Sequence, residues 1–235
     1  MAAKLKVTLL EHTPEPERVV ASAGRLCYSE STAAELKEKI TDEEVKKLLK
    51  LLATSGHLST FEHVSFTFGI DGISRACSHQ LVRHRLASYS QQSQRYVRFE
   101  EDEAYIIPPQ ISENQDALGV FEQSMEQAIE AYEWLVELGM EKENARFVLP
   151  NAVETRIVVT MNARELRHFF RVRCCRRAQW EIRALAWQMY FLAAEAAPLL
   201  FTKAGPTCLH GKCEEGKLSC GEKCTQEEVE RMIKN

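Results

Sequence analysis

From Ile182 to Phe201 the chain is apolar on nearly every side of a helical projection, with Leu185, Ala186, Trp187, Met189, Phe191 and Leu192 spread all round it. A helix of that kind cannot face water, so residues 178 to 201 are expected as one helix buried between other layers or between subunits. The partner layers follow from the remaining patterns. Val64, Phe66, Phe68 and Ile70 alternate with small or polar residues and close on Asp71-Gly72, the period of a half-buried strand. Residues 5 to 10 and 156 to 161 read as two further strands. Thr41 with Glu44 forms a capping box ahead of Val45, Leu48, Leu49 and Leu52, and Gly56 ends that helix. A turn is expected at Pro14 and Pro16, followed by a helix over residues 19 to 28, and helices are also predicted over 74 to 86, 162 to 172, and from Leu118 to Gly139. The expected fold is α+β, one domain with a mainly antiparallel sheet flanked by long helices. Residues 1 to 205 form its body and residues 206 to 235 a cysteine-containing tail.

Composition narrows the function. At 235 residues and 45% hydrophobic, the chain can build its own core. No run of eighteen apolar residues exists, and Met1 is followed by Ala-Ala-Lys-Leu-Lys-Val, so neither a membrane span nor a secretory signal is expected. The cytoplasm is the default location, with the eight cysteines reduced. A net charge of −4 argues against general polyanion binding, so any anion site must be built locally. Gly-rich phosphate loops, a Gly-x-Gly-x-x-Gly turn and a His-Glu-x-x-His helix are all missing from the sequence. Arginine clusters, whose forked donors match phosphate, are the remaining means of holding a nucleotide.

One cluster stands out. Residues 80 to 96 place Arg83, Arg85 and Arg95 among hydroxyl and amide side chains, with no acid between Asp71 and Glu100. A solvated helix face normally pairs its arginines with acids three or four places away. Neutralisation by remote carboxylates or by another subunit competes evenly with an anion site.

Arg83-His84-Arg85, seven residues and then Ser93 resembles the defining motif of flavin-dependent thymidylate synthases. The resemblance extends to Gly56-His57-Leu58-Ser59-Thr60-Phe61-Glu62-His63, to Ala145-Arg146-Phe147-Val148-Leu149-Pro150, and to Asn162-Ala163-Arg164 running on to Arg173 and Ala178-Gln179-Trp180-Glu181. It implies methylation of dUMP to dTMP, with carbon from 5,10-methylenetetrahydrofolate and electrons from NADPH through FAD. It also implies a homotetramer with shared active sites.

By the same resemblance Gln80, Arg83, Gln91, Ser93, Gln94, Arg95 and Arg173 bind dUMP, joined by Arg146 from a neighbouring subunit. Ser59, Glu62, Arg83, His84, Arg85, Gln91, Asn162, Arg164 and His168 bind FAD. Arg173 falls where the family sets an arginine against the uracil carbonyl, although an arbitrary arginine there would serve as a helix-end cation. His57 lies near the flavin in the family. Ser93 contacts substrate without becoming a covalent nucleophile, since no adjacent base and orienting group accompany it. Gln91 stands where some relatives carry an acid, Ser90 where many carry Asn, and His168 where some carry Asn.

Cys208, Cys213, Cys220 and Cys224 could bind zinc, but their spacing fits the usual paired knuckles loosely, and no metal is assigned. Cys174 and Cys175 read as packing thiols. Two readings compete with the flavoenzyme: a nucleic-acid-binding protein with a zinc tail, and a flavoprotein of other function.

Overall fold

The computed structural model describes residues 3–98 and 105–229. In chain order they form β1 (Lys6–His12), α1 (Pro16–Leu26), α2 (Ala33–Lys39), α3 (Asp42–Ser55), a 3-10 turn (Leu58–His63), β2 (Ser65–Ser74), α4 (Arg75–Leu81) and β3 (Ala87–Gln91). There follow α5 (Pro109–Ser112), α6 (Gln115–Glu137), α7 (Lys142–Ala145), a 3-10 turn (Arg146–Val148), β4 (Glu154–Asn162), α8 (Ala163–Arg173), α9 (Trp180–Ala196) and α10 (Thr207–His210). The four strands make an antiparallel sheet in the order β1-β2-β4-β3, and the fold class is α+β as expected.

Alternation places the two central strands. Phe66, Phe68 and Ile70 of β2 are buried, as are Thr155, Ile157, Val159 and Met161 of β4. On α3 the capping box forms as expected: Thr41 accepts the Glu44 N–H while the Glu44 carboxylate accepts the Thr41 N–H. Gly56 ends the helix in the left-handed region at φ 75. Gly72 is the one place in β2 where glycine is required. Its φ is +72, and an added Cβ would lie 2.1 Å from the backbone oxygen of Lys4.

Four expectations are corrected. The helix expected over 178–201 is α9 and stops at Ala196, because Pro198 offers no N–H and Ala197 before it leaves helical geometry at φ −149, ψ 69. The helix expected over 74–86 is only α4, with Val82 as its C-cap. Its continuation includes a strand, β3, that the pattern did not reveal. β3 is an edge strand of Ala-Ser-Tyr-Ser-Gln, too polar to show an apolar period. Finally, Pro16 is the first residue of α1 rather than part of a turn, a position where its missing N–H costs nothing.

Contacts divide the chain into two compact units, whose boundaries cut across the strands. The first gathers the chain up to Lys6 with Ile70–Arg83 and Tyr89–Val158. Its core is Met125, Ile129 and Tyr132 of α6 with Ala145 and Val153. The second gathers Val7–Gly69, His84–Ser88 and the chain from Val159. There Phe66, Phe170 and Phe201 pack edge to face, with centroids 5.3 and 5.7 Å apart. Each fully buried ring is worth roughly 1.5–3 kcal/mol of transfer free energy.

Candidate active site

Most residues expected to hold dUMP lie in the first unit: Gln80 on α4, Arg83 just beyond it, Gln91 at the end of β3, then Ser93, Gln94, Arg95 and Arg146. Glu143 brings two of them together. Arg95 donates Nε–H to its carboxylate at 2.6 Å, and Arg146 donates Nε–H to its carbonyl at 3.2 Å. Arg75, which sequence reasoning did not single out, joins this cluster. Its guanidinium pKa is lowered by burial and then by the like charge of Arg146.

Ser93 Oγ accepts the backbone N–H of Arg95 at 3.2 Å, and among the described residues no imidazole or carboxylate is hydrogen-bonded to it. Gln91 spends its amide nitrogen on Ser78 Oγ (3.0 Å) and Thr155 Oγ1 (3.1 Å). Only its oxygen end is then available to a ligand. Arg83 and Arg85 are exposed and have no acidic partner among the described residues.

The second unit carries the other set. His84 is buried, and its ring is fixed at both ends: Arg173 donates Nε–H to Nε2 at 3.0 Å, and Nδ1 lies 3.1 Å from Glu165 Oε1. A nitrogen that accepts from arginine carries no proton. The proton is therefore on Nδ1, and Nδ1–H donates to the carboxylate. Burial, then Arg173 and then His168, lowers the His84 pKa to about 4, which keeps this imidazole neutral near pH 7. Burial raises the pKa of Glu165. With both nitrogens engaged, His84 can meet a cofactor only through its backbone or ring edge.

Asn162 caps α8, its Oδ1 accepting the Glu165 N–H at 2.8 Å. Arg164 pairs with Glu62 at 2.5 Å, and the 3-10 turn holding Ser59 and Glu62 packs on α8. His57, exposed, is the residue before that turn. His168 has its pKa lowered by burial, then by Arg171 and Arg173.

Arg164, Arg167, His168 and Arg171 recur at helical spacing along one face of α8 and line a cleft of ≈600 Å³. Leu58, Lys203, Ala204, Gly205, Thr207, His210, Gly211, Lys212 and Glu214 complete its lining. Arg167, Arg171, Lys203 and Lys212 were not foreseen as site residues, although the first two continue the Arg164–His168 stripe. Five cationic side chains and one acid, Glu214, face a single cleft in a chain of net charge −4. Such a cleft attracts anions.

Among the described residues, His84, Glu165 and His168 each offer a potential metal-ligand atom within 4.8 Å of the others. Arg173 already occupies His84 Nε2, and the surrounding arginines repel a cation. The described cysteines of the tail do not form such a group. No described helix is long and apolar enough to cross a membrane.

Comparison with known proteins gives this geometry a lineage. The family described as "Thymidylate synthase complementing protein" matches residues 8–199. A flavin-dependent thymidylate synthase of Geobacter sulfurreducens is 54% identical, covering 98% of both chains. One of Pyrococcus abyssi is 43% identical over 91% of each. Among solved structures, a UMP/dUMP methylase from Streptomyces cacaoi bound with 5-Br dUMP superposes with a TM-score of 0.76 at 26% identity, covering 86% of this chain and 97% of its own. With its arginine motif, its α+β fold and its near full-length likeness to these enzymes, the chain belongs to the flavin-dependent thymidylate synthase family.

Proposed function

We propose that the protein methylates dUMP to dTMP, taking carbon from 5,10-methylenetetrahydrofolate and electrons from NADPH by way of FAD. The observation that carries this reading is the split character of the arginine motif. Arg83 and Arg85 are exposed and unpaired among the described residues, while His84 between them is buried and holds Arg173. Two cations are free for an external anion, and a third is fixed in orientation.

In this reading Gln80, Arg83, Gln91, Ser93, Gln94 and Arg95 bind the nucleotide with Arg146, which the resemblance implies from a neighbouring subunit and which shares Glu143 with Arg95 of its own chain. The cluster of Arg75, Arg95 and Arg146 supplies the charge a phosphate needs. Ligand phosphate would displace Glu143 from Arg95. Arg173 stabilises negative charge developing on the uracil oxygen, and its hold on the neutral His84 limits the reorganisation it must undergo. Ser93 positions the substrate and does not attack it, consistent with its lack of a paired base.

The second unit fits a flavin dinucleotide. Its cationic cleft, lined by Arg164 and His168, suits the diphosphate; Ser59, Glu62, His84, Arg85 and Asn162 complete the flavin-binding set in this reading, with His57 guarding the ring. When bound, the flavin supplies the electron transfer that protein side chains cannot. A homotetramer with shared sites and a cytoplasmic location belong to the same proposal.

The test is dTMP formation measured chromatographically with each component left out in turn. Product that requires dUMP, methylenetetrahydrofolate, NADPH and FAD together supports the reading. A complete mixture that yields no dTMP contradicts it.

A further inference from the structure

By sequence the segment after Gly205 is an appendage. In the structure its described residues, 206–229, belong to the second unit, and the first of them line the cationic cleft. Thr207, His210, Gly211, Lys212 and Glu214 all border that cleft. The loop they form is closed on itself, Thr207 Oγ1 accepting the Glu214 N–H at 3.3 Å. It is also tied down from several sides. Glu214 pairs with Arg171 (3.4 Å) and Glu215 with Arg177 (3.5 Å). Further along, Glu222 (3.3 Å) and Glu228 both pair with Arg176. Cys224 is buried, and its N–H reaches Cys208 Sγ at 3.5 Å. Exposed ion pairs contribute little singly, but several acting on one short segment fix its placement.

The cations of this cleft differ in how they are satisfied. Arg164 is paired with Glu62 and Arg171 with Glu214. Arg167 donates to the carbonyls of Leu200 and Thr202. Lys203 and Lys212 have no acidic partner among the described residues. Lys203 is moreover held at φ 55, one of two non-glycine residues at positive φ among those described. A strained backbone that aims a lysine at a cleft is a reason to look for a ligand there. The stripe from Arg164 to Arg171 spans roughly 10 Å of helix, more than one phosphate can cover and about the reach of a diphosphate with its sugars.

Resting on the flavoenzyme reading above, we propose that the Thr207–Glu214 loop is the second wall of a dinucleotide subsite. In it Lys203 and Lys212 meet the diphosphate whose other side faces Arg164, Arg167 and Arg171. Two ligands of this enzyme class share that chemistry: a flavin dinucleotide and a nicotinamide dinucleotide.

Lys203→Glu and Lys212→Glu test the proposal, with Lys217→Glu, an exposed tail lysine away from the cleft lining, as control. FAD binding to apoprotein is followed by flavin fluorescence, NADPH by the rate of flavin reduction, and dUMP by calorimetry. Thermal melts check folding, and since Lys203 lies outside the loop, local loop unfolding cannot account for both variants. Each reversal is expected to weaken one dinucleotide by about tenfold at low salt, less at high salt, and to leave dUMP binding within about twofold. Weaker FAD assigns the subsite to the flavin, and weaker NADPH with intact FAD assigns it to the nicotinamide dinucleotide. If both dinucleotides bind the folded variants as they bind wild type, or only dUMP is weakened, the proposal is overturned. Wild-type protein that takes up neither dinucleotide overturns this proposal and the flavoenzyme reading together.

Discussion

Arg173 donates its Nε–H to Nε2 of His84 at 3.0 Å, and Glu165 receives the proton-bearing nitrogen of the same ring. The three side chains form one hydrogen-bonded line in which the imidazole has a single workable tautomer. Replacing His84 with Ala should therefore act at two levels. It removes a buried hydrogen-bond network, costing about 1–3 kcal/mol in denaturant titration. It also frees Arg173, so kcat should fall more than flavin affinity does. Loss of flavin with unchanged kcat in the loaded fraction would contradict the positioning role.

The same ring gives a pH dependence. Its folded pKa of about 4 lies below the ordinary 6.5, so the unfolded chain takes up that proton first. The contribution of His84 to stability is complete above pH 6.5 and declines as pH falls from there towards 4. Burial raises the Glu165 pKa, which acts in the opposite sense and offsets part of this loss. Urea titrations of wild type and His84→Gln across this range should show a smaller acid-side decline in the variant. Parallel curves would mean that the imidazole is not held neutral.

Two arginines of the motif should separate by phenotype. Arg83→Ala is expected to lose flavin retention and dUMP affinity, because that exposed guanidinium has no internal acidic partner among the described residues. Arg173→Ala should keep its flavin and lose turnover by about a hundredfold or more, as for removal of a donor to a developing oxyanion. Equal activity to wild type in either variant would remove its assigned role.

Much of this fold is legible in the sequence, for identifiable reasons. The Thr41–Glu44 box and the Phe66–Phe68–Ile70 alternation are local signals read by local physics, and both appear as expected. β3 carries no such signal because a short, polar edge strand needs no apolar face. Pro198 lies inside a mostly apolar stretch that continues to Phe201, so the apolar pattern runs past the true end of the helix. In the cleft, Arg167 and Arg171 could have been found from their spacing to Arg164. Lys203 and Lys212 could not, because only the tertiary placement of the tail brings them there.

Backbone demands offer a stability test away from any ligand. Gly72→Ala should destabilise the protein by about 2 kcal/mol or more, since alanine at φ +72 is strained and its Cβ would meet the Lys4 carbonyl oxygen at 2.1 Å. A melting temperature equal to wild type would show that the strand end relaxes freely.

Thiol chemistry should follow burial. With an alkylating reagent under native conditions, Cys27 and Cys220, both exposed, should react first. Cys77 and Cys174 are buried, and burial pushes the Cys174 thiol well up, so both should be protected until unfolding. Cys224, raised to about 11 mainly by burial, should react slowly until the tail is displaced. Mass spectrometry of tryptic peptides reads the order, and rapid labelling of Cys224 in the native protein would contradict the docked tail.

The central claim is that this chain holds a flavin and dUMP in working relation. The most direct measurement is the visible absorbance spectrum of the protein incubated with FAD and freed of excess, recorded as dUMP is titrated in. The account predicts retained flavin bands that shift or change intensity saturably with dUMP. A protein that stays colourless after exposure to FAD, or whose flavin spectrum is indifferent to dUMP, would contradict it.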